Sequence, residues 1–96
     1  MRKFKFHYDA GHGWLKVHLS DLYDVDLSPA DFTCFSYCNG DWFYLEEDLD
    51  AGTFIREWER KFDEFRVHHI DDGYNSPIRN LERLPDSKSL TDEIPF

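Results

Sequence analysis

The chain has 96 residues, 41% apolar and 18% aromatic, enough for one modest core without metal or disulfide staples and too few for two. Twenty acids against eleven basic residues give a net charge of −9, which argues against direct binding of nucleic acid or an anionic membrane. The apolar runs are too short for a secretory signal or a membrane span, and two cysteines suit a reducing compartment, so a cytoplasmic location is expected.

Along the first segment, Phe4, Phe6 and Tyr8 alternate with Lys3, Lys5 and His7, the pattern of a half-buried strand. Leu15, Val17 and Leu19 alternate in the next. Closing the two across Ala10–Gly13 pairs Tyr8 with Leu15, Phe6 with Val17 and Phe4 with Leu19, and puts every apolar residue on one face. Gly11-His-Gly13 leads into a strand rather than a helix. It therefore lacks the converging N–H groups of a phosphate cradle, and His12 reads as a solvated turn residue.

Ser20–Leu27 fits a short helix capped by Ser20. Phe32–Cys38 and Trp42–Glu46 flank Asn39-Gly40, a strong hairpin signal, and a two-residue loop there pairs Tyr37 with Trp42 and Phe35 with Tyr44. Phe54, Ile55, Trp58, Phe62 and Phe65 recur at helical spacing, so one long helix is expected over Asp50–Phe65, with Asp48 or Asp50 as N-cap and with Glu57–Lys61 and Arg60–Glu64 pairs outside. Arg66–Ile70 reads as a fifth strand. The expected fold is α+β, ββ(α)ββαβ: an antiparallel sheet packed on the long helix. Residues 1–74 form the compact domain, and 75–96 form a partly flexible tail docking through Ile78, Leu81 and Leu84.

The candidate chemistry is sparse. Cys34 and Cys38, in one extended strand, would lie about 13 Å apart, too far for a disulfide or a shared zinc. His7 and His18 as diagonal neighbours, with His68 or His69 and an acid, make a metal half-site, against the plainer reading as surface histidines. No nucleophile elbow, zinc-protease or calcium-loop pattern is present, so neither catalysis nor a cofactor is expected.

The acids are more informative. Between Lys16 and Arg56, 39 residues contain no Lys or Arg but nine acids. Glu46, Glu47, Asp48 and Asp50 exceed what capping a helix requires. With Asp21, Asp24 and Asp26 beside them, and Trp42 or Tyr44 as apolar anchors, they read as a surface for a basic protein or nucleoprotein complex. A second aromatic feature is the hairpin face carrying Phe35, Tyr37, Trp42 and Tyr44. It would either be exposed, and serve a homodimer or scaffold, or be covered by the tail through Tyr74, Ile78, Leu81 and Leu84.

Three stretches, Gly11-His-Gly-Trp-Leu15, Tyr44-Leu-Glu-Glu-Asp-Leu-Asp-Ala51 and Ser76-Pro-Ile-Arg-Asn80, resemble small accessory proteins carried by bacteriophages and plasmids. The resemblance implies a setting, the bacterial cytoplasm, rather than a mechanism, and carries over no functional residues. Small acidic proteins of mobile elements often resemble nucleic-acid mimics that inhibit restriction or CRISPR machinery. The functional expectation is a stoichiometric inhibitor of such a complex.

Overall fold

A computed structural model describes residues 2–85 of the chain. In chain order the elements are β1 (Lys3–Tyr8), β2 (Gly13–His18), α1 (Leu19–Asp24), β3 (Tyr37–Asn39), β4 (Trp42–Glu46), α2 (Asp50–Phe62), β5 (Arg66–Asp71) and β6 (Glu82–Arg83). Short 3₁₀ turns occupy Pro29–Asp31 and Pro77–Asn80. The six strands form one sheet in the order β5-β1-β2-β4-β3-β6, and the fold is α+β as the patterning implied. Among the described residues no helix is long and apolar enough to cross a membrane.

The alternation in β1, β2 and β4 sends Phe4, Leu15, Val17, Phe43 and Leu45 to one face, where Phe54 and Trp58 of α2 meet them. Phe4 lies edge-on to both helix rings, with centroids 5.3 and 4.9 Å away. The helix stops at Phe62 because Asp63 turns left-handed at φ 59°, so Phe65 reaches the core from beyond the helix and stacks on Phe4. On its exposed side Arg60 pairs with Glu57, while Lys61 reaches the Asp24 carbonyl and Glu64 turns to Arg66.

The sheet is mixed, not antiparallel: β5 runs parallel to β1. The reason is the crossover. β1, β2 and β4 alternate in direction, α2 returns the chain along the sheet face, and β5 must then run the way β4 and β1 do.

Both hairpins keep the expected faces but shift register by two residues. Phe6 pairs with Leu15 and Tyr8 with Gly13, because the Asp9 N–H bonds to the His12 carbonyl and the turn becomes Asp9–His12. Gly13 is therefore a strand residue, and the Phe6 ring lies so close that an added Cβ would meet it at 2.4 Å. In the second hairpin Tyr37 pairs with Tyr44 and Asn39 with Trp42. Its turn is Gly40-Asp41, with the positive φ of 63° at the first turn position, where glycine is preferred. The strand over Phe32–Cys38 shrinks to Tyr37–Asn39.

α1 also starts earlier than expected. His18 caps it, its Nδ1 accepting from the Ser20 N–H while the Asp21 carboxylate accepts from the His18 N–H. Residues 75–85 dock onto the sheet through Ile78, Leu81 and Leu84, the three side chains expected to do so. Leu84 enters the main core, β6 extends the sheet, and Ile78 and Leu81 cover Trp14, Tyr37 and Tyr44 on the face opposite α2. Tyr74 stays exposed. The rest of the expected tail, 86–96, lies outside the described residues.

Candidate functional site

The acidic run Glu46–Asp50 sits where β4 hands over to α2, and its members do different jobs. Glu46 folds back to accept the N–H groups of Asp48, Leu49 and Asp50 at 2.9, 2.6 and 3.1 Å. It thereby satisfies donors that a helix start leaves open. Leu49, not Asp48 or Asp50, holds the N-cap position. Asp50 points inward and is only 2% exposed. One of its oxygens accepts from the Thr33 N–H, the Thr33 hydroxyl and the Ser36 hydroxyl at 2.9, 2.8 and 2.6 Å. Ser36 in turn accepts the Glu46 N–H. Asp50 is thus a corrected assignment: a structural clamp, withheld from any partner.

The clamp fixes the loop before β3 so that Phe35 projects from it, 61% exposed. Leu49, 56% exposed, stands across from it. Between them opens a half-enclosed pocket of about 360 Å³. The buried rings of Trp14 and Tyr37 form its inner wall, with Glu46, Asp48, His12 and Arg79 completing the lining. Glu47 and Asp48 are exposed, and among the described residues neither carboxylate forms an ion pair or hydrogen bond.

A second buried carboxylate holds the far wall. Asp9 accepts from the N–H groups of Gly11, His12 and Ser76, and from Nε and a terminal nitrogen of Arg79 at 2.6 and 2.8 Å. The Arg79 ion pair, with the three backbone donors, keeps the Asp9 carboxyl far below the usual carboxylate range, and Asp9 raises Arg79. The guanidinium lies 5.2 Å from the Trp14 ring centroid, so the same contact seats the aromatic wall. Asp9 and Arg79 were not singled out as a pair, since 70 positions separate them.

The other expected site residues lie elsewhere. Asp21 is buried and bound in bidentate fashion by Arg2 at 2.8 and 3.1 Å, a second correction. Asp24 and Asp26 are exposed, but the Lys61–Asp24 contact puts them at the far end of α2, about 16 Å from Asp50 along the axis. Trp42 sits at the opposite end of β4 from Glu46, about 13 Å away. Tyr44 is half-buried, and that burial raises its phenol pKa. The aromatic face is likewise divided: Tyr37 is covered by Ile78 and by Arg83, whose guanidinium lies 5.0 Å from its ring, and only Phe35 and Trp42 remain open.

The histidines disperse too. His7 pairs with Trp14 across the strands and approaches Asp72 at 3.2 Å, while the register takes His18 away toward Trp42. His68 and His69 alternate on β5. Among the described residues no three of His, Cys, Asp or Glu gather in a metal-binding arrangement. Cys34 lies in a turn and Cys38 in β3, with no disulfide; burial and nearby Glu82 push the Cys38 thiol up, away from a reactive thiolate.

Comparison with known protein families, curated proteins and solved structures gives no significant match.

Proposed function

We propose that this protein is a stoichiometric binding modulator, not an enzyme, that docks a basic surface of a nucleic-acid-handling complex through the corner formed by Phe35 and Glu46–Leu49. The observation carrying this reading is the pocket itself. Two exposed apolar side chains flank buried aromatic walls, Asp48 lines the pocket and Glu47 stands beside it on the adjoining depression, and among the described residues neither carboxylate has a partner. An aromatic pocket rimmed by carboxylates suits an arginine or lysine of the partner, its stem against Trp14 and Tyr37 and its charge toward Asp48.

Two of the other ionisable groups lining the pocket are committed, Arg79 to Asp9 and Glu46 to the start of α2, while the His12 ring lies tilted against Trp14. With those charged groups engaged, the pocket favours recognition. The biological setting, a mobile-element protein acting on bacterial restriction or CRISPR machinery, rests on the resemblance of the three sequence stretches. The test is phage plating on bacterial hosts that each carry one such system. Wild-type protein should restore plating on at least one host, and the variant Glu47→Lys/Asp48→Lys should not. Protection by the folded double variant equal to wild type, or no protection on any host, would count against the reading.

A further inference from the structure

The net charge conceals an uneven placement. In β1 the core takes Phe4, so Lys3 and Lys5 point to the face opposite α2. By the same alternation Lys16 and His18 of β2, Trp42 and Tyr44 of β4, and Arg66 and His68 of β5 share that face. The observed register aligns them. One row reads His68, Lys5, Lys16, Tyr44 across four strands. The adjacent row reads Arg66, Lys3, His18, Trp42 when the β1–β2 pairing is continued by two residue pairs beyond Lys5 and Lys16. Neither row contains a carboxylate.

Convergence is also visible as space. Arg2, Lys3, Lys5, Lys16 and Trp42 line one depression of about 150 Å³. Arg2 is neutralised by Asp21 and Arg66 approaches Glu64, but among the described residues Lys3, Lys5 and Lys16 have no carboxylate partner. The Lys16 ammonium instead lies 4.5 Å from the centroid of Trp42 and 5.9 Å from that of Tyr44. Trp42 remains 38% exposed, with the Lys16 cation over its ring and the His18 ring edge-on at 4.8 Å.

We propose that this face binds a short single-stranded nucleic acid segment. A base stacks on Trp42, and Lys3, Lys5 and Lys16 hold the phosphates. Lysines two apart on a strand repeat at about 6.6 Å, and four strands span about 14 Å, room for two or three nucleotides of an extended chain. Stacking on an aromatic beside a cationic track is the usual basis of sequence-tolerant single-strand binding. An acidic peptide would use the lysines but has no need of the indole. A duplex would need an element that enters a groove, and this face is flat sheet. The acids on α2 lie across the sheet, and at physiological salt charges more than about 8 Å apart through solvent are largely screened. The cationic patch and the Phe35–Leu49 corner lie on one sheet face but at opposite ends of β4, about 13 Å apart along the strand, and share no lining residue, so either reading can fail without the other.

The test is fluorescence anisotropy with labelled fifteen-residue oligo-dT, read alongside tryptophan quenching. Saturable binding is expected with a Kd of about 10⁻⁴ M or tighter at 50 mM salt. With three phosphate contacts, affinity should fall about 20-fold between 50 and 200 mM salt. Trp42→Ala should weaken binding at least about fivefold with the salt slope unchanged. Lys5→Ala should lower the slope by about 0.7, and Glu47→Lys/Asp48→Lys should not reduce binding. Each variant is checked for the native circular dichroism spectrum; where Trp42→Ala does not fold, Trp42→Leu replaces it. No saturable binding at 50 mM salt would overturn the proposal. So would indifference to both the Trp42 and Lys5 substitutions, or equal competition by polyglutamate of matched charge.

Discussion

Replacing Asp50 by Ala removes a carboxylate that no partner can reach, and the cost follows from its three donors. Ser36 is fully buried, so its hydroxyl loses a 2.6 Å acceptor that water cannot replace, at about 1–3 kcal/mol. The Thr33 N–H loses its acceptor in a half-buried place, at about 1 kcal/mol, and the Thr33 hydroxyl can turn to solvent at little cost. The sum is about 3 kcal/mol. A domain of this size has roughly 5–14 kcal/mol of stability in all, so the melting temperature should fall by about 12–24 °C. Urea unfolding followed by tryptophan fluorescence measures the free energy directly. The double variant Asp50→Ala/Ser36→Ala should cost clearly less than the two single changes summed, because both break one contact. A loss below about 1 kcal/mol for Asp50→Ala, or strict additivity with Ser36→Ala, would refute the clamp and return Asp50 to the surface charges.

Asp9 gives a pH signature. Its carboxyl is held below the ordinary range when folded, so its contribution is complete above the unfolded value near pH 4 and is lost as pH falls below it. Asp9→Asn should therefore be much less stable than wild type at pH 7, with the gap narrowing by pH 3; a constant gap in urea titrations would argue against the Arg79 pairing. Gly13→Ala should destabilise by about 1–2 kcal/mol, since the Phe6 ring must move aside, and Phe6→Leu should relieve most of that loss. A neutral Gly13→Ala in the same urea assay would show that the ring moves freely.

How much of this was readable in advance depends on the period of each signal. Strand faces repeat every two residues, so Phe4, Leu15, Val17, Phe43 and Leu45 were assignable to the core. That same period cannot detect a two-residue slip, and both hairpins slipped by that amount. What decided the register was local: the Asp9–His12 closure, and a turn led by Gly40. The parallel β5 followed from a helix inserted after β4, a topological consequence rather than a residue pattern. The inward acids were hidden because their partners are distant: Thr33 and Ser36 for Asp50, Arg2 for Asp21, Arg79 for Asp9. Of the expected contact residues, Glu46, Glu47 and Asp48 stay together, while Asp24, Asp26 and Trp42 disperse. Phe35, read as part of a broad aromatic face, and Leu49, not singled out at all, became visible as the pocket's rim only once the clamp had placed the loop. The cationic face needed both the true register and the β1–β5 pairing, neither of which composition carries.

The most direct measurement of the central claim is titration calorimetry against the defence complex identified by plating, at two salt concentrations, with wild type, Glu47→Lys/Asp48→Lys and Phe35→Ser. The account predicts a saturating, fixed stoichiometry and an affinity that weakens with salt. It also predicts at least roughly tenfold loss for the charge-reversed protein, and loss for Phe35→Ser with the salt dependence retained. Equal affinity for all three folded proteins would contradict it.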